Sequence, residues 1–236
     1  MPHRGIASVS DALVSVFLPG TLCDERIFMH MPADPLARHL HYRDLHDVPA
    51  WWATQLAQLP ERFDCIGFSL GGIMAMALLQ LQPERVRKLV LWSSNADAAG
   101  EPQRLRCQQQ ANDWDVLGPQ GLIEEQLKLL DPSPRLESND RRLLQDMAQD
   151  TPPTSFLAQL ELNSTRANGH EILRQWNGPV QLIAGDADPW CGPAVQERIL
   201  ASRPDARLSL IPGVSHYSPL EAPAESAVLM QAFLES

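Results

Sequence analysis

The stretch Phe63-Asp64-Cys65-Ile66-Gly67-Phe68-Ser69-Leu70-Gly71-Gly72 decides the fold of this chain. Its first part predicts a short buried strand, and the apolar run that follows, Ile73 to Leu81, predicts a helix. Between them lies the pattern Gly-x-Ser-x-Gly, which is typical of a sharp strand-to-helix turn that exposes one serine hydroxyl above the end of a sheet. Glycines on both sides of Ser69 let strand and helix approach closely, because a Cβ atom there would collide with the neighbouring element.

Ser69 is a candidate nucleophile. The predicted helix behind it directs free backbone N–H groups and the positive end of its dipole toward the place where an oxyanion would form. The five-residue pattern also occurs by chance in a chain with 13 glycines. The prediction therefore depends on whether the rest of the chain supplies a base and an acid.

Length and composition are those of an ordinary globular protein. The chain has 236 residues, 44% hydrophobic and 20% charged, as expected for one domain or one domain with an insertion. Its formal net charge of -10, without a basic run, argues against nucleic acid or an anionic membrane surface as a partner. No apolar segment is long enough to span a bilayer, and the N-terminus does not resemble a secretory signal. We therefore expect a cytoplasmic protein, and its oligomeric state is left open.

The cysteines do not predict a metal site or a disulfide framework. They are widely separated, form no Cys-x-x-Cys pair and have no neighbouring histidines. The four positions are Cys23, Cys65, Cys107 and Cys191. A reducing cytoplasm is the default location for such a chain. We expect neither a metal nor a cofactor.

Strand-like and helix-like segments alternate along the chain at the spacing of a mostly parallel sheet covered by helices on both faces. The predicted strands are 12–18, 39–44 (weaker), 63–68, 86–92, 180–184 and 206–211. The predicted helices are 51–59, 70–81, 194–200 and 222–234. The sequence therefore predicts the α/β class.

The segment 95–176 has a different texture, rich in Gln, Asp, Arg and Pro and without strand patterns. Its amphipathic helical patterns are 122–130, 141–148 and 156–162. An insertion between two strands of a parallel sheet must lie at the carboxyl edge, over the crevice where such folds bind ligands. We predict a core of residues 1–94 and 177–236 and an all-helical lid of residues 95–176; the alternative is a peripheral decoration without a role.

His216 is the candidate base. A serine hydroxyl needs a base to take its proton and a third group to orient that base. Of the seven histidines, only His216 lies just past a late predicted strand, in a loop that contains Gly213 and Ser215 and precedes the final helix.

Three aspartates are candidates for the third group. Asp186 and Asp188 follow the predicted strand 180–184, although turn or helix-cap roles would also explain them. Asp188 is the first candidate and Asp186 the reserve. Asp97 is a third possibility, because the strand before it ends at the same edge of the sheet.

The order Ser69, Asp188, His216 is the nucleophile-acid-base order of serine-elbow hydrolases. With these residues, the chain resembles the α/β-hydrolase superfamily, in its branch of small lidded esterases, from Ala12 onward. The resemblance implies an α/β-hydrolase fold with a helical lid. The family's Gly-x-x-Asp turn matches 185–188, which favours Asp188 over Asp186, and its Gly-x-x-His stretch matches 213–216.

The resemblance also implies two oxyanion donors. The family's His-Gly-x-x-Gly motif corresponds to the segment 18–24, with Pro19 in place of the histidine and a leucine in place of the second small residue. By position, the backbone N–H of Thr21 would be one donor, or that of Leu22 if the turn is shifted by one residue. The N–H of Leu70, directly after the nucleophile, would be the other.

The candidate pocket residues are Leu22, Phe68, Trp114 and Trp190, although core packing would explain each of them equally well. We predict a serine hydrolase that cleaves a small, largely uncharged carboxylic ester through an acyl-enzyme. Thioester, amide, peptide or carbon–carbon bond cleavage and acyl transfer are alternatives on the same residues. A ligand-binding relative without catalysis is a further alternative. In each case the expected partner is a small molecule.

Overall fold

A parallel sheet forms the centre of the molecule. The computed structural model describes residues 14–130 and 135–236. Across them the sheet has the strand order β2-β1-β3-β4-β5-β6, and every neighbouring pair is parallel. The strands are β1 (Ser15–Leu18), β2 (Arg38–His39), β3 (Phe63–Phe68), β4 (Val86–Trp92), β5 (Val180–Gly185) and β6 (Arg207–Ile211). The predicted α/β class is confirmed.

Helices cover both faces of this sheet. They are α1 (Val48–Leu56), α2 (Leu70–Leu81), α3 (Glu101–Leu129), α4 (Ser138–Gln149), α5 (Pro153–Thr165), α6 (Gly169–Gln175), α7 (Pro193–Ser202), α8 (Ser218–Glu221) and α9 (Pro223–Leu234). A short 3-10 helix spans Glu25–Phe28. No helix in the described ranges is both long and apolar enough to cross a membrane.

Two strand predictions need correction. The strand predicted at 39–44 is wrong in its extent, because only Arg38–His39 pairs with β1. Beyond it, buried Tyr42 turns into the core and donates its hydroxyl to the carbonyl of Pro19, so this segment packs as a loop. The strand predicted at 12–18 begins at Ser15, and its first two residues lie outside the described part of the chain.

The central strands bury both of their faces, which explains their mostly apolar sequences. All six residues of β3 are buried. In β4, Leu89 and Leu91 face the core layer that contains α1 and α2. Val90 and Trp92 face the opposite layer, which includes α8, α9 and the inner sides of α3 to α5. The sheet is therefore a rigid platform whose carboxyl edge carries the loops after β1, β3, β4 and β5.

The insertion between β4 and β5 is helical, as predicted, and consists of α3 to α6. The predicted helical patterns at 122–130, 141–148 and 156–162 lie mostly within α3, α4 and α5. Helix α3 kinks at Gly118, which has a φ of 68° and directly precedes Pro119. The kink is expected, because proline removes a backbone donor and clashes with the preceding turn.

A polar cluster joins both ends of the insertion to the core. Asp97, in the loop after β4, accepts hydrogen bonds from Arg198 on α7 (2.7 Å) and contacts Nε2 of His170 on α6 (2.9 Å). The other ring nitrogen of His170 contacts the hydroxyl of Ser202 on α7 (2.9 Å). The hydrogen bond from Arg198, opposed by burial and aided by His170, lowers the pKa of Asp97 from 3.8 to about 2.

This lowered pKa predicts a pH-dependent stability. The unfolded chain holds the Asp97 proton more tightly than the folded chain, so the stabilisation is present above about pH 4 and is lost as the pH falls toward 2. We expect the Tm of the unmodified protein to exceed that of Asp97→Asn by a constant amount near neutral pH. The difference should shrink toward zero near pH 2, as measured by thermal unfolding at a series of pH values. A Tm difference that is independent of pH would contradict this role.

Candidate active site

Ser69 lies at the turn between β3 and α2 in a conformation that side chains rarely adopt, with φ 52° and ψ -113°. A backbone held in such a sparsely populated region costs about 1–3 kcal/mol. Hydrogen bonds hold it there: its N–H donates to the carbonyl of Trp92 (2.8 Å), and its own carbonyl accepts from the Ser94 hydroxyl (2.8 Å). Maintained strain of this kind is common at functional sites.

The glycines around Ser69 are required by close backbone approach. A Cβ atom on Gly67 would overlap the backbone of Gly71 in α2. A Cβ atom on Gly71 would overlap the carbonyl of Leu18 at the end of β1. Strand, helix and the loop after β1 therefore meet at one point, as the sequence pattern indicates.

Three side chains form a continuous hydrogen-bonded series. The Ser69 Oγ lies 3.0 Å from Nε2 of His216, and Nδ1 of His216 lies 2.8 Å from Oδ2 of Asp188. The side chains of His216 and Asp188 are 7% and 0% exposed. A carboxylate at Nδ1 favours the tautomer with its proton there, which leaves Nε2 free to accept from the serine.

The Asp188 carboxylate is held in its ionised form. Burial alone would raise its pKa, but the charge and hydrogen bond of His216 outweigh this effect. The N–H groups of Trp190 and Cys191 add to that effect by donating to Oδ1 (2.8 and 2.9 Å). The pKa of Asp188 therefore lies below its ordinary value. A carboxylate that stays ionised can stabilise the positive charge of a protonated imidazole.

The other two candidate aspartates lie elsewhere. Asp186 is exposed and accepts a hydrogen bond from the N–H of Gly213 (2.7 Å), so it shapes the loop that carries His216. Asp97 belongs to the cluster with His170. Of these three aspartates, Asp188 is the one in contact with His216.

Buried Glu221 fixes the backbone on both sides of His216. Its carboxylate accepts from the N–H and hydroxyl of Ser215 (2.8 and 2.7 Å) and from the N–H of Tyr217 (2.9 Å). The Trp190 ring packs edge-on against the imidazole, with ring centroids 4.8 Å apart. These contacts restrict the imidazole to the position from which it reaches Ser69.

The loop after β1 forms a tight turn at the predicted oxyanion segment. The N–H of Cys23 donates to the carbonyl of Gly20 (3.2 Å), and Leu22 has a φ of 58°. The N–H of Leu22 donates to the side-chain oxygen of Gln159 (3.0 Å). Within the described residues, the N–H of Thr21 has no protein acceptor, and Thr21 lines the cleft above Ser69.

Leu70 also lines this cleft and is the first residue of α2. The N–H groups in the first turn of a helix have no partners within the helix. Thr21 and Leu70, the two residues predicted to supply the oxyanion donors, therefore line the same cleft as Ser69.

Sequence reasoning missed Gln159, the acceptor for Leu22. Gln159 is 2% exposed, and its Nε2 donates to the hydroxyl of Ser155 one turn earlier on α5 (3.2 Å). The available signal was a glutamine on the same helical face as Phe156, within the amphipathic pattern 156–162. A polar side chain on an apolar face is buried only when it has a partner.

A cleft of about 550 Å³ opens above Ser69 and His216. Of the predicted pocket residues, Phe68 and Trp190 line it. Leu22 is fully buried within the turn after β1, and Trp114 stacks on Phe156 (centroids 4.6 Å apart) within the insertion, so neither is among the lining residues.

The wall that α3, α5 and the residue directly after α5 contribute is mostly polar. It carries amide side chains and two charges of each sign. These residues are Gln103, Arg106, Gln109, Gln110, Asp113, Glu125, Gln126, Asn163 and Arg166. The cleft therefore combines an apolar lower part, which includes Phe68, Ile73 and Trp190, with an upper wall on which two positive and two negative charges balance.

Asp188, Cys191 and His216 bring three potential metal-ligand atoms within 4.8 Å of one another. Two of them already bond to each other. Burial, followed by the charge of Asp188, raises the pKa of the Cys191 thiol well above its ordinary value. Because metals bind the thiolate, this group fits a hydrogen-bonded relay better than a metal site.

Asp97, His170 and Ser202 form a second Asp–His–Ser set with similar hydrogen-bond lengths. This set is not part of the cleft. The Ser202 hydroxyl donates to the carbonyl of Ile199 within α7 (2.8 Å), so it is held by the helix. Residue types and distances alone thus do not define a reactive serine; the strained turn and the open cleft at Ser69 distinguish the two sets.

Sheet topology, serine turn and cleft together define a hydrolase of the α/β type. The model of the alpha/beta hydrolase family matches residues 12–228. The chain therefore belongs to this family, and the predicted enzyme class is confirmed.

Curated relatives agree with this assignment, and solved structures share the fold. The pimeloyl-[acyl-carrier protein] methyl ester esterase of Aromatoleum aromaticum is 28% identical over 206 residues, 78% of each chain. The enzyme of the same name from Neisseria meningitidis serogroup C is 28% identical over 80% of this chain and 76% of its own. An esterase from Exiguobacterium antarcticum shares the fold at 14% identity, with a TM-score of 0.81 over 95% of this chain and 92% of its own. A thermophilic esterase from Thermogutta terrifontis shares the fold at 18% identity, with a TM-score of 0.78 over 95% of this chain and 90% of its own.

Proposed function

We propose that this protein is a serine hydrolase that cleaves a small, largely uncharged carboxylic ester through an acyl-enzyme on Ser69. The observation that carries the proposal is the hydrogen-bonded series from Ser69 through His216 to Asp188 at the floor of an open cleft. The strained backbone of Ser69 supports it, because the strain presents the hydroxyl to the cleft.

In the first half-reaction, the Ser69 oxygen attacks the ester carbonyl carbon while Nε2 of His216 takes the hydroxyl proton. The ionised carboxylate of Asp188 keeps the imidazole oriented and stabilises its positive charge. The tetrahedral intermediate collapses when the carbon–oxygen bond to the alcohol breaks, and the alcohol leaves with the proton from His216. The acyl group remains on Ser69.

In the second half-reaction, water attacks the acyl-enzyme as His216 accepts its proton, and collapse releases the acid and restores the serine hydroxyl. In both halves the carbonyl oxygen becomes an anion. The N–H groups of Thr21 and Leu70 are the donors proposed for it, since the N–H of Leu22 is engaged by Gln159. The positive end of the α2 dipole adds to this stabilisation.

Two observations support the substrate class. The charged side chains on the upper wall balance, with Arg106 and Arg166 against Asp113 and Glu125, and amides surround them. Such a wall suits a polar, uncharged group better than an ion. The two relatives compared above are named for hydrolysis of a methyl ester, which favours a carboxylic ester over a thioester or an amide.

We further propose that residues 95–176 act as the lid and that residues 1–94 and 177–236 form the catalytic core. Helix α3 supplies most of the upper wall of the cleft, and α5 supplies Asn163. Substrate selection would then depend on this insertion, while the chemistry depends on the core.

A fluorophosphonate probe with intact-mass measurement tests the nucleophile. We expect the folded protein to gain one adduct, Ser69→Ala to gain none, and the matched control Ser202→Ala to be labelled like the unmodified protein. Absence of an adduct on the folded, unmodified protein would contradict the proposal and leave a ligand-binding role. A panel of p-nitrophenyl esters of rising acyl length would then define the acyl preference.

A further inference from the structure

The loop after β1 is held by a side chain from the insertion. Gly20, Thr21, Leu22 and Cys23 form a hydrogen-bonded turn whose third residue has a positive φ. This is the sign pattern of a type II turn, in which glycine is the usual third residue. With leucine there, the turn is strained and needs an external contact to keep its conformation.

Gln159 supplies that contact at the peptide that determines the turn type. A type I and a type II turn differ in the orientation of the peptide between the two central residues, here Thr21 and Leu22. The N–H of this peptide belongs to Leu22 and donates to Gln159 Oε1 (3.0 Å), and both residues are buried. Rotation of the peptide would break this bond and leave Gln159 without its donor, so the contact favours the observed orientation.

A closed set of hydrogen bonds keeps the Gln159 amide in place. Its Nε2 donates to the Ser155 hydroxyl (3.2 Å), which donates to the backbone carbonyl of Tyr42. The phenol of Tyr42 donates to the carbonyl of Pro19 (3.0 Å), directly before the turn. The amide is therefore oriented with its oxygen toward Leu22, and the turn is tied to α5 at both ends.

We infer that Gln159 is a positioning residue: from the insertion it holds the Thr21–Leu22 peptide, and with it the turn that carries the Thr21 N–H, in the conformation used for catalysis. This inference rests on the proposed function, because it assigns Gln159 a role in stabilising the oxyanion at Ser69. It acts through Leu22 and Thr21 and does not itself line the cleft. The helical insertion thus contributes to the chemical step in addition to covering the substrate.

Gln159→Met tests the inference, because methionine keeps the length and helix propensity of the side chain but removes the amide. We expect kcat/KM for a p-nitrophenyl ester to fall about 10- to 100-fold, mainly in kcat. The inhibition constant of a trifluoromethyl ketone, which forms a tetrahedral adduct with Ser69, should rise by a similar factor. Gln159→Glu keeps an acceptor oxygen and should recover most of the loss. A purely structural role would not produce parallel changes in kcat and in adduct affinity.

Gln145→Leu is the matched control, since Gln145 also lies in the insertion and bonds to Glu124 (3.0 Å) but does not contact the turn. It should retain the kinetics of the unmodified protein. Hydrogen exchange of the Leu22 amide, followed by NMR, provides a readout that does not require activity. We expect faster exchange in Gln159→Met and no change in Gln145→Leu.

The outcomes separate this inference from the proposed function. If the unmodified protein is labelled at Ser69 while Gln159→Met keeps its kcat and inhibitor affinity, the inference is wrong and the hydrolase stands. If the unmodified protein is not labelled, both are wrong. Should Gln159→Met fail to fold, Ser155→Ala releases the amide more mildly. Parallel losses in kcat and inhibitor affinity would then support the inference, and unchanged values would overturn it.

Discussion

Replacement of Ser69 by alanine is expected to lower kcat/KM for ester hydrolysis by about 10⁵- to 10⁶-fold. In the proposed mechanism the hydroxyl forms the acyl-enzyme, and its hydrogen bond to His216 (3.0 Å) is the route by which its proton leaves. Without it, His216 and the oxyanion donors retain only the ability to assist attack by water. Steady-state kinetics with a p-nitrophenyl ester measure the loss.

The control for this variant is Ser202→Ala, which removes a hydroxyl with a similar hydrogen bond to a histidine (2.9 Å to His170) but away from the cleft. It should keep full activity. Substantial turnover by purified Ser69→Ala would show that another group is the nucleophile. Loss of activity in Ser202→Ala at an unchanged Tm would show that the second Asp–His–Ser set takes part in the reaction.

The second large effect is expected for Asp188→Asn, which should lower kcat by about 10⁴-fold with little change in KM. An amide can donate its N–H to Nδ1 of His216, and this favours the tautomer with the proton on Nε2. Such an imidazole cannot accept the Ser69 proton. The fold should persist, because the asparagine oxygen can still accept from the N–H groups of Trp190 and Cys191.

Asp186→Asn is the matched control, two residues away in the same turn. Its side chain accepts from the N–H of Gly213 and does not contact His216. An asparagine oxygen can accept the same bond, so activity should remain close to that of the unmodified protein. If Asp186→Asn and Asp188→Asn exchanged their effects, the assignment of the acid would be reversed.

The fold was predictable because its signals are local. The mainly apolar strands at 63–68 and 86–92 coincide with β3 and β4, since a strand that is buried on both faces is mostly apolar and does not alternate with polar residues. The weak strand at 39–44 was overextended. Its apolar residues, among them Tyr42, pack into the core from a loop, and periodicity alone does not separate these two uses.

The candidate site was predictable to the extent that it depends on where strands end. Ser69 and His216 follow strands of one parallel sheet, so their approach at its carboxyl edge was expected. The residues that line the pocket were harder to predict from the sequence. The Trp114 ring stacks on Phe156 inside the insertion, and the Leu22 side chain is buried within the turn after β1. Whether a side chain lines the pocket or is buried depends on how the helices pack, and the sequence pattern does not predict their mutual orientation.

The sequence by itself determined the serine turn, because Gly-x-Ser-x-Gly between an apolar strand and an apolar helix specifies a local backbone geometry. Only the tertiary structure decided which carboxylate meets His216 and which N–H of the β1 loop is left free. The first depends on how the turn after β5 directs Asp188 inward and Asp186 outward. The second depends on Gln159, 137 residues from Leu22. Both are contacts between side chains and irregular backbone, for which no periodicity in the sequence gives a direction.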